Sequence, residues 1–287
     1  MILVTGATGK VGGEVARLLL ADGAPVRALA RSAERAAPLA ALGAEVAVGD
    51  LGRPGTLGPA CAGVDALVLV PPDEEHMDVL QRNAVEAAAV AGVERIVKLS
   101  LVEPDLGSRS RIVRWHASGE RDVEASGLRF THVRANSFLQ NLLWLAPAIR
   151  ERGAFESCMG DRRMAWVDTR DVASTIVAVL ARDDLDGQAV DATGPEALAY
   201  GEIAARIDRV VGTPCRYVDL APAVLEARLR GEGWPAWLAE EVALVYGDAA
   251  YDPRVADVTD VVERLTGRPP RSLDDFLRDH AADFRAT

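Results

Sequence analysis

The apolar positions of the chain change period in a regular way. Ile2 to Val4 is a short apolar run rich in β-branched residues, and from Val11, within a run of glycines, the apolar positions fall at Val11, Val15, Leu18 and Leu19, a helical spacing. This predicts a strand, a glycine turn and a helix running to about Ala21, broken at Asp22-Gly23-Ala24-Pro25. The alternation continues: strand Val26 to Ala30, helix Ala33 to Leu42, strand Glu45 to Val48, and a short helix ending near Gly63. A fourth strand from Asp65 stops at Pro71-Pro72; helix Glu74 to Ala91 closes at Gly92, and strand Arg95 to Leu99 ends at Ser100. Uninterrupted strand–helix alternation predicts an α/β fold, a doubly wound parallel sheet of Rossmann type. Further strands are expected at Arg129 to Arg134, Met164 to Val167, Gln188 to Ala192 and Cys215 to Val218. From Ala221 the pattern is helical, which predicts a smaller, mostly helical C-terminal lobe. The expected division is 1–153 as a dinucleotide-binding domain and 154–287 as the remaining strands plus a substrate-side lobe, intertwined with it.

Ligands of such sheets collect at the carboxyl ends of the strands. Gly6, Gly9 and Gly12 follow the first strand as G-x-x-G-x-x-G. They allow a sharp turn, a close approach of pyrophosphate to the backbone, and tight packing of helix on strand. The flanking Thr5, Thr8, Lys10 and Val11 are expected in the same cradle, whose helix N-terminus favours anions; an exposed first-turn lysine is an equally good account of Lys10. At the end of the second strand stands Arg31, a guanidinium where an acidic residue would select an unphosphorylated ribose, so NADP(H) is expected over NAD(H), with one surface arginine among many as the alternative. Asp50 and Leu51 end the third strand, and Asp50 is placed against the adenine amino group, with initiation of the turn as the alternative. Val70, Pro71, Pro72 and Ser100 are expected beside the nicotinamide half.

Composition narrows the setting. A net charge of −11 argues against nucleic-acid and membrane-surface binding. No apolar run reaches the ~20 residues of a membrane span. The chain enters its first strand at once, and its three cysteines, Cys61, Cys158 and Cys215, show no metal or disulfide spacing. A cytoplasmic protein with a small-molecule substrate is expected, as a monomer or homodimer. The basic residues are almost all arginine; lysine stands only at positions 10 and 98.

On VTGATGKVGG (4–13), Arg31, GDL (49–51), VLVPP (68–72), HASGERDVEASGLRFTHVRANSFLQNLL (116–143), WVDTRDVA (166–173) and the tail at 258–284, the chain resembles the short-chain dehydrogenase/reductase superfamily. More narrowly it resembles the NmrA-like branch, which includes NADPH-dependent quinone reductases, azoreductase-like proteins and cofactor-sensing regulators. The resemblance covers nearly the whole chain. It implies NADP(H) as cofactor and a segment from Asn136 onward that faces substrate, with Phe138 and Trp144 as an apolar floor and Gln140 or Asn141 as a polar contact. Core packing is the alternative for Phe138 and Trp144.

Typical members of the superfamily carry Tyr-x-x-x-Lys on the helix after the fifth strand. This chain has His116 and Glu120 there, four apart on one helix face. His116, Glu120 and Ser100 are therefore the candidates for proton chemistry, with a His–carboxylate contact expected and a packing pair as the alternative. Asp168 and Asp171 read as helix caps or dipole partners, and Ser272 with Asp275 as the cap of a last helix, Leu273 to His280. Trp234 to Tyr246 supplies an aromatic face for a pocket or a second subunit. The expected function is hydride transfer from NADPH to a conjugated acceptor such as a quinone. The alternatives are a redox-sensing protein that docks on a partner, or a non-redox tailoring enzyme.

Overall fold

The computed structural model describes residues 1–247 and 251–285. The first half follows the alternation: β1 (Ile2–Val4), α1 (Lys10–Ala21), β2 (Val26–Ala30), α2 (Ala33–Ala40), β3 (Glu45–Val48), α3 (Leu57–Cys61), β4 (Ala66–Leu69), α4 (Met77–Ala91), β5 (Arg95–Leu101), α5 (Arg111–Ala125) and β6 (Arg129–Ala135). Then come a 3-10 turn at Leu139–Trp144, α6 (Ala146–Arg152), β7 (Ala154–Ser157), α7 (Thr169–Leu180), β8 (Gln188–Ala192), α8 (Tyr200–Val211) and β9 (Arg216–Asp219). The C-terminal part holds α9 (Pro222–Gly231), α10 (Ala236–Val245), α11 (Val261–Thr266), α12 (Leu273–Asp279) and α13 (Ala281–Phe284).

Seven strands form one sheet in the order β3-β2-β1-β4-β5-β6-β8, every pairing parallel. Parallel strands buried on both faces need apolar side chains on both. Val4, Val68, Val97 and Val133 pack toward α1 and α7, whereas Leu3, Leu67 and Ile96 pack toward α3 and α4 with Val123 of α5. The order steps outward from β1 in both directions, which leaves a crevice at the carboxyl ends of β1 and β4.

The second half departs from the expected pattern in two places. Met164 to Val167 is no sheet strand: it makes isolated bridges, Val167 to Phe138 and Met164 to Leu198, and buries Trp166 beneath them. Conversely β7, which the alternation did not predict, pairs in parallel with β9 as a separate two-stranded sheet. That small sheet packs with α6, α8, α12 and α13 around Phe155, Tyr200, Ile203 and Phe276 to make the lobe's own core. The chain re-enters the main sheet at β8, so sheet and lobe share residues from both halves. The helix expected from Glu74 starts at Met77, behind His76 in the left-handed region with φ 64°. Ser272 and Asp275 cap α12 reciprocally, and Asp168 caps α7 by accepting from the Arg170 N–H. Among the described residues no helix is long and apolar enough to cross a membrane.

Candidate functional site

A single cavity of about 1300 Å³ runs along the strand ends, from the glycine turn to the lobe. At one end Gly6 holds φ 58°, and a Cβ at Gly12 would stand 2.4 Å from the Gly6 carbonyl oxygen. The turn therefore closes only with hydrogen at these positions. The N-terminus of α1 has no side-chain cap and no acidic residue in its first turn, so its donors are left for an anion. Gly6, Thr8, Gly9, Lys10, Val11 and Gly12 all line the cavity. Thr5 does not: its hydroxyl is buried between β1 and β4, donating to Val70 O at 3.0 Å and accepting from Val70 N at 2.9 Å. Thr5, expected as part of the cradle, instead clasps two strands with its hydroxyl and stays out of the cavity lining.

Farther along, Arg31, Asp50, Leu51, Val70, Pro71 and Pro72 line the same space. Arg31 donates to Glu74 at 2.8 Å, with both side chains about half exposed at the mouth. Asp50 begins its turn, Oδ1 accepting from the Gly52 N–H at 2.9 Å, and still borders the cavity. A dinucleotide fits this outline. The cradle is closed to side chains, the helix end is uncapped, and a guanidinium stands at the second strand end.

Toward the lobe the lining turns apolar: Phe138, Trp144, Met164, Trp234, Leu238 and Val242, with Asn141 and Tyr246 among them. Phe138 and Asn141, the residues expected to face substrate, both border this part of the cavity. Trp144 is 55% exposed and makes an edge contact with Trp234 at 5.9 Å, so it is no core residue. Lys10 Nζ lies 5.3 Å from the centre of its ring. Gln140 turns away from the cavity and joins Asp168 Oδ1 to the Thr169 N–H, each at 3.0 Å. The lobe is latched over the site by Glu241 of α10. This fully buried carboxylate accepts from Ser110 Oγ at 2.6 Å, Arg111 Nε at 3.0 Å and the Ile112 N–H at 3.2 Å, all at the start of α5.

The expected contact between His116 and Glu120 does not form. Glu120 takes the Arg134 guanidinium bidentately, at 3.0 and 2.7 Å, and does not border the main cavity. Burial opposes ionisation of Glu120, but the Arg134 guanidinium, with the Ser100 hydroxyl, outweighs it and keeps the carboxylate charged. Glu120, Glu124 and His132 stand within ligand distance of one another, but both oxygens of Glu120 are already given to Arg134. His116 borders the cavity, as does Ser100. The partner of His116 is Lys98 of β5, whose Nζ lies 3.5 Å from His116 Nδ1. Lys98 is completely buried, and burial, opposed by Glu120 and reinforced by Arg134, brings its pKa down to about 7. Burial, and then the neighbouring ammonium, hold His116 well below the usual histidine range, so at neutral pH the ring is uncharged. The amine next to the imidazole thus comes from the strand beneath α5 and not from α5 itself.

A family model for the NmrA-like family matches residues 1–277. The chain belongs to the NmrA-like family. This family member is 38% identical over 286 residues to the NAD(P)H azoreductase of Xenophilus azovorans, covering all of both chains. It is 40% identical over 287 residues to the (4-alkanoyl-5-oxo-2,5-dihydrofuran-3-yl)methyl phosphate reductase of Streptomyces griseus, covering 99% of each. Its fold superposes on the NADPH complex of an NADPH-dependent quinone oxidoreductase from Escherichia coli with a TM-score of 0.88, at 29% identity, over 97% of this chain and 99% of that one.

Proposed function

We propose that the protein is an NADPH-dependent reductase that delivers hydride to a flat, conjugated acceptor of the quinone, azo or unsaturated-carbonyl type. The observation that carries this reading is the continuity of the cavity. At about 1300 Å³ it exceeds the roughly 300–1,000 Å³ of an ordinary single-ligand pocket, and its polar half leads directly into an apolar one. Gly6 and residues 8–12 would hold the pyrophosphate, Arg31 the 2′-phosphate, Asp50 and Leu51 the adenine, and Val70 to Pro72 with Ser100 the nicotinamide end. When bound, the reduced nicotinamide supplies the hydride.

Phe138, Trp144, Trp234 and Leu238 orient a flat acceptor and exclude water from it, which is the larger part of what a hydride transfer needs from a protein. Asn141 and Tyr246 offer hydrogen bonds to its polar atoms. His116, neutral and facing the cavity, supplies the proton that must follow the hydride. The chemistry suits relatives named as reductases of azo compounds, quinones and an unsaturated lactone, acceptors that need no tyrosine acid to polarise an isolated carbonyl.

The test is steady-state oxidation of NADPH against a panel of quinones, azo dyes and butenolides, beside calorimetric titration of the cofactor. Turnover of at least one class, with NADPH preferred to NADH, is the expected result. Tight NADPH binding with no turnover of any class would overturn the reading in favour of a cofactor-sensing protein.

A further inference from the structure

On β5 the side chains of Ile96, Lys98 and Ser100 point to one face of the sheet, the face that carries α4 and α5. A lysine in the middle of that run is costly, because a buried ammonium must find acceptors for its protons. Lys98 Nζ finds two within reach: the Leu99 carbonyl at 3.2 Å and His116 Nδ1 at 3.5 Å. Lys98 itself does not border the cavity, whereas His116 does. The imidazole therefore separates a buried amine from the space assigned to the acceptor.

We propose that Lys98 is a positioning residue that fixes the tautomer of His116: it donates to Nδ1, so that Nε2 carries the hydrogen presented to the acceptor. This rests on the reductase reading given above. An ammonium has no lone pair, so Nδ1 facing it must be the acceptor nitrogen, and a neutral ring then holds its one hydrogen on Nε2. The balance closes without any other reactant. Hydride brings two electrons and leaves the acceptor with one added negative charge. The acceptor takes H⁺ from Nε2, and the N–H electron pair stays in the ring. The Nδ1 lone pair takes H⁺ from Lys98, leaving a neutral amine and a neutral imidazole. After product leaves, a solvent proton enters at Nε2 and the Nδ1 proton returns to Lys98.

The charged and titratable groups acting on this pair are Glu120 of α5, which favours the ammonium, and Arg134 of β6, which opposes it. Lys98 also acts on His132 of β6, which stays neutral. The position of Lys98 near the middle of the neutral range lets it give up and regain a proton without leaving that range.

The sequence makes a direct experiment feasible, since lysine occurs only at 10 and 98 and histidine only at 76, 116, 132 and 280. In cofactor-free protein labelled at lysine Cε and at the histidine ring nitrogens, the Lys98 signal should titrate near pH 7. Below that midpoint His116 should show a protonated Nε2 and a bare Nδ1. The preference should fade with the same midpoint, and be lost in Lys98→Met and Lys98→Gln. A His116 hydrogen on Nδ1 in the wild type, or a ring unaffected by either the Lys98 titration or its substitution, overturns the proposal; the wild-type titration decides even if neither variant folds. In turnover, both variants should lose about 10- to 100-fold in kcat, keep the KM for NADPH, and lose the alkaline fall in rate. Should the nitrogen signals behave as stated while no acceptor is reduced, the reductase reading fails and the tautomer assignment stands.

Discussion

Arg31 and Glu74 face each other across the mouth of the cavity, the guanidinium donating to the carboxylate at 2.8 Å. On the proposed placement of NADPH, a 2′-phosphate at Arg31 must compete with that carboxylate or share the fork with it. Removing the competitor should help. Glu74→Gln is expected to tighten NADPH binding by about two- to fivefold, the scale of an exposed ion pair, and to leave NADH unchanged. Arg31→Ala should weaken NADPH by about 10- to 100-fold and barely move NADH. Calorimetric titration at fixed low salt measures both; equal losses for the two dinucleotides in Arg31→Ala would place the phosphate elsewhere.

Gly12 offers a sharper steric test. An added Cβ would lie 2.4 Å from the Gly6 carbonyl oxygen and 2.8 Å from that of Thr5, both backbone atoms with nowhere to go. Gly12→Ala should cost about 1–3 kcal/mol of stability and loosen the dinucleotide cradle. Gly55→Ala, where a Cβ meets nothing within 4 Å, is the control. Urea unfolding and NADPH titration of the pair should separate them clearly.

Lys98 should cost the protein stability. Its folded pKa is about 7 against an ordinary value of 10.5, so between these limits the unfolded chain binds more protons. Stability from this group is fully present above about 10.5 and is lost as pH falls through about 7. Lys98→Met is expected to be more stable than wild type at neutral pH, on the order of 2–4 kcal/mol, with the advantage shrinking as pH rises toward 10.5. A stability difference that does not change over that interval would show that Lys98 titrates normally.

Glu241 holds the lobe to α5 through Ser110, Arg111 and the Ile112 N–H. Glu241→Ala strands these donors and should cost about 2–4 kcal/mol. Because Trp234, Leu238 and Val242 lie on the same stretch, the variant should also raise the acceptor KM. NADPH affinity should hold, since the end proposed for the dinucleotide is built mainly from the strand ends of β1 to β4. A loss confined to NADPH binding would contradict this division.

The sheet was legible because each of its first four strands is a compact apolar run closed by Gly, Pro or Arg, while β5 runs on through Ser100 to Leu101. Those closing residues are the ones that border the cavity. The lobe was less so. β7 is four residues of mixed polarity, and its partner β9 lies some sixty residues on, so no local period marks the pairing. The apolar run Met164 to Val167 looked like a strand, yet it is buried by a single bridge on each side. In the site, helical spacing correctly put His116 and Glu120 on the same helix, but it carries no information about what β5 and β6 present beneath. Arg134 claimed the carboxylate and Lys98 the imidazole. The one signal that pointed to Lys98 was its rarity, as a charged residue inside a strand of a chain with two lysines.

The cavity draws its two halves from different parts of the chain. Its cofactor end is composed of short turns at strand termini scattered over the first hundred residues, where each change disturbs the sheet. Much of the end proposed for the acceptor hangs on one continuous stretch, 232–246, fastened to the body through a buried carboxylate. Exchange of that single stretch among relatives, with the fastening kept, would retarget the catalyst to new molecules while its source of reducing power stayed the same.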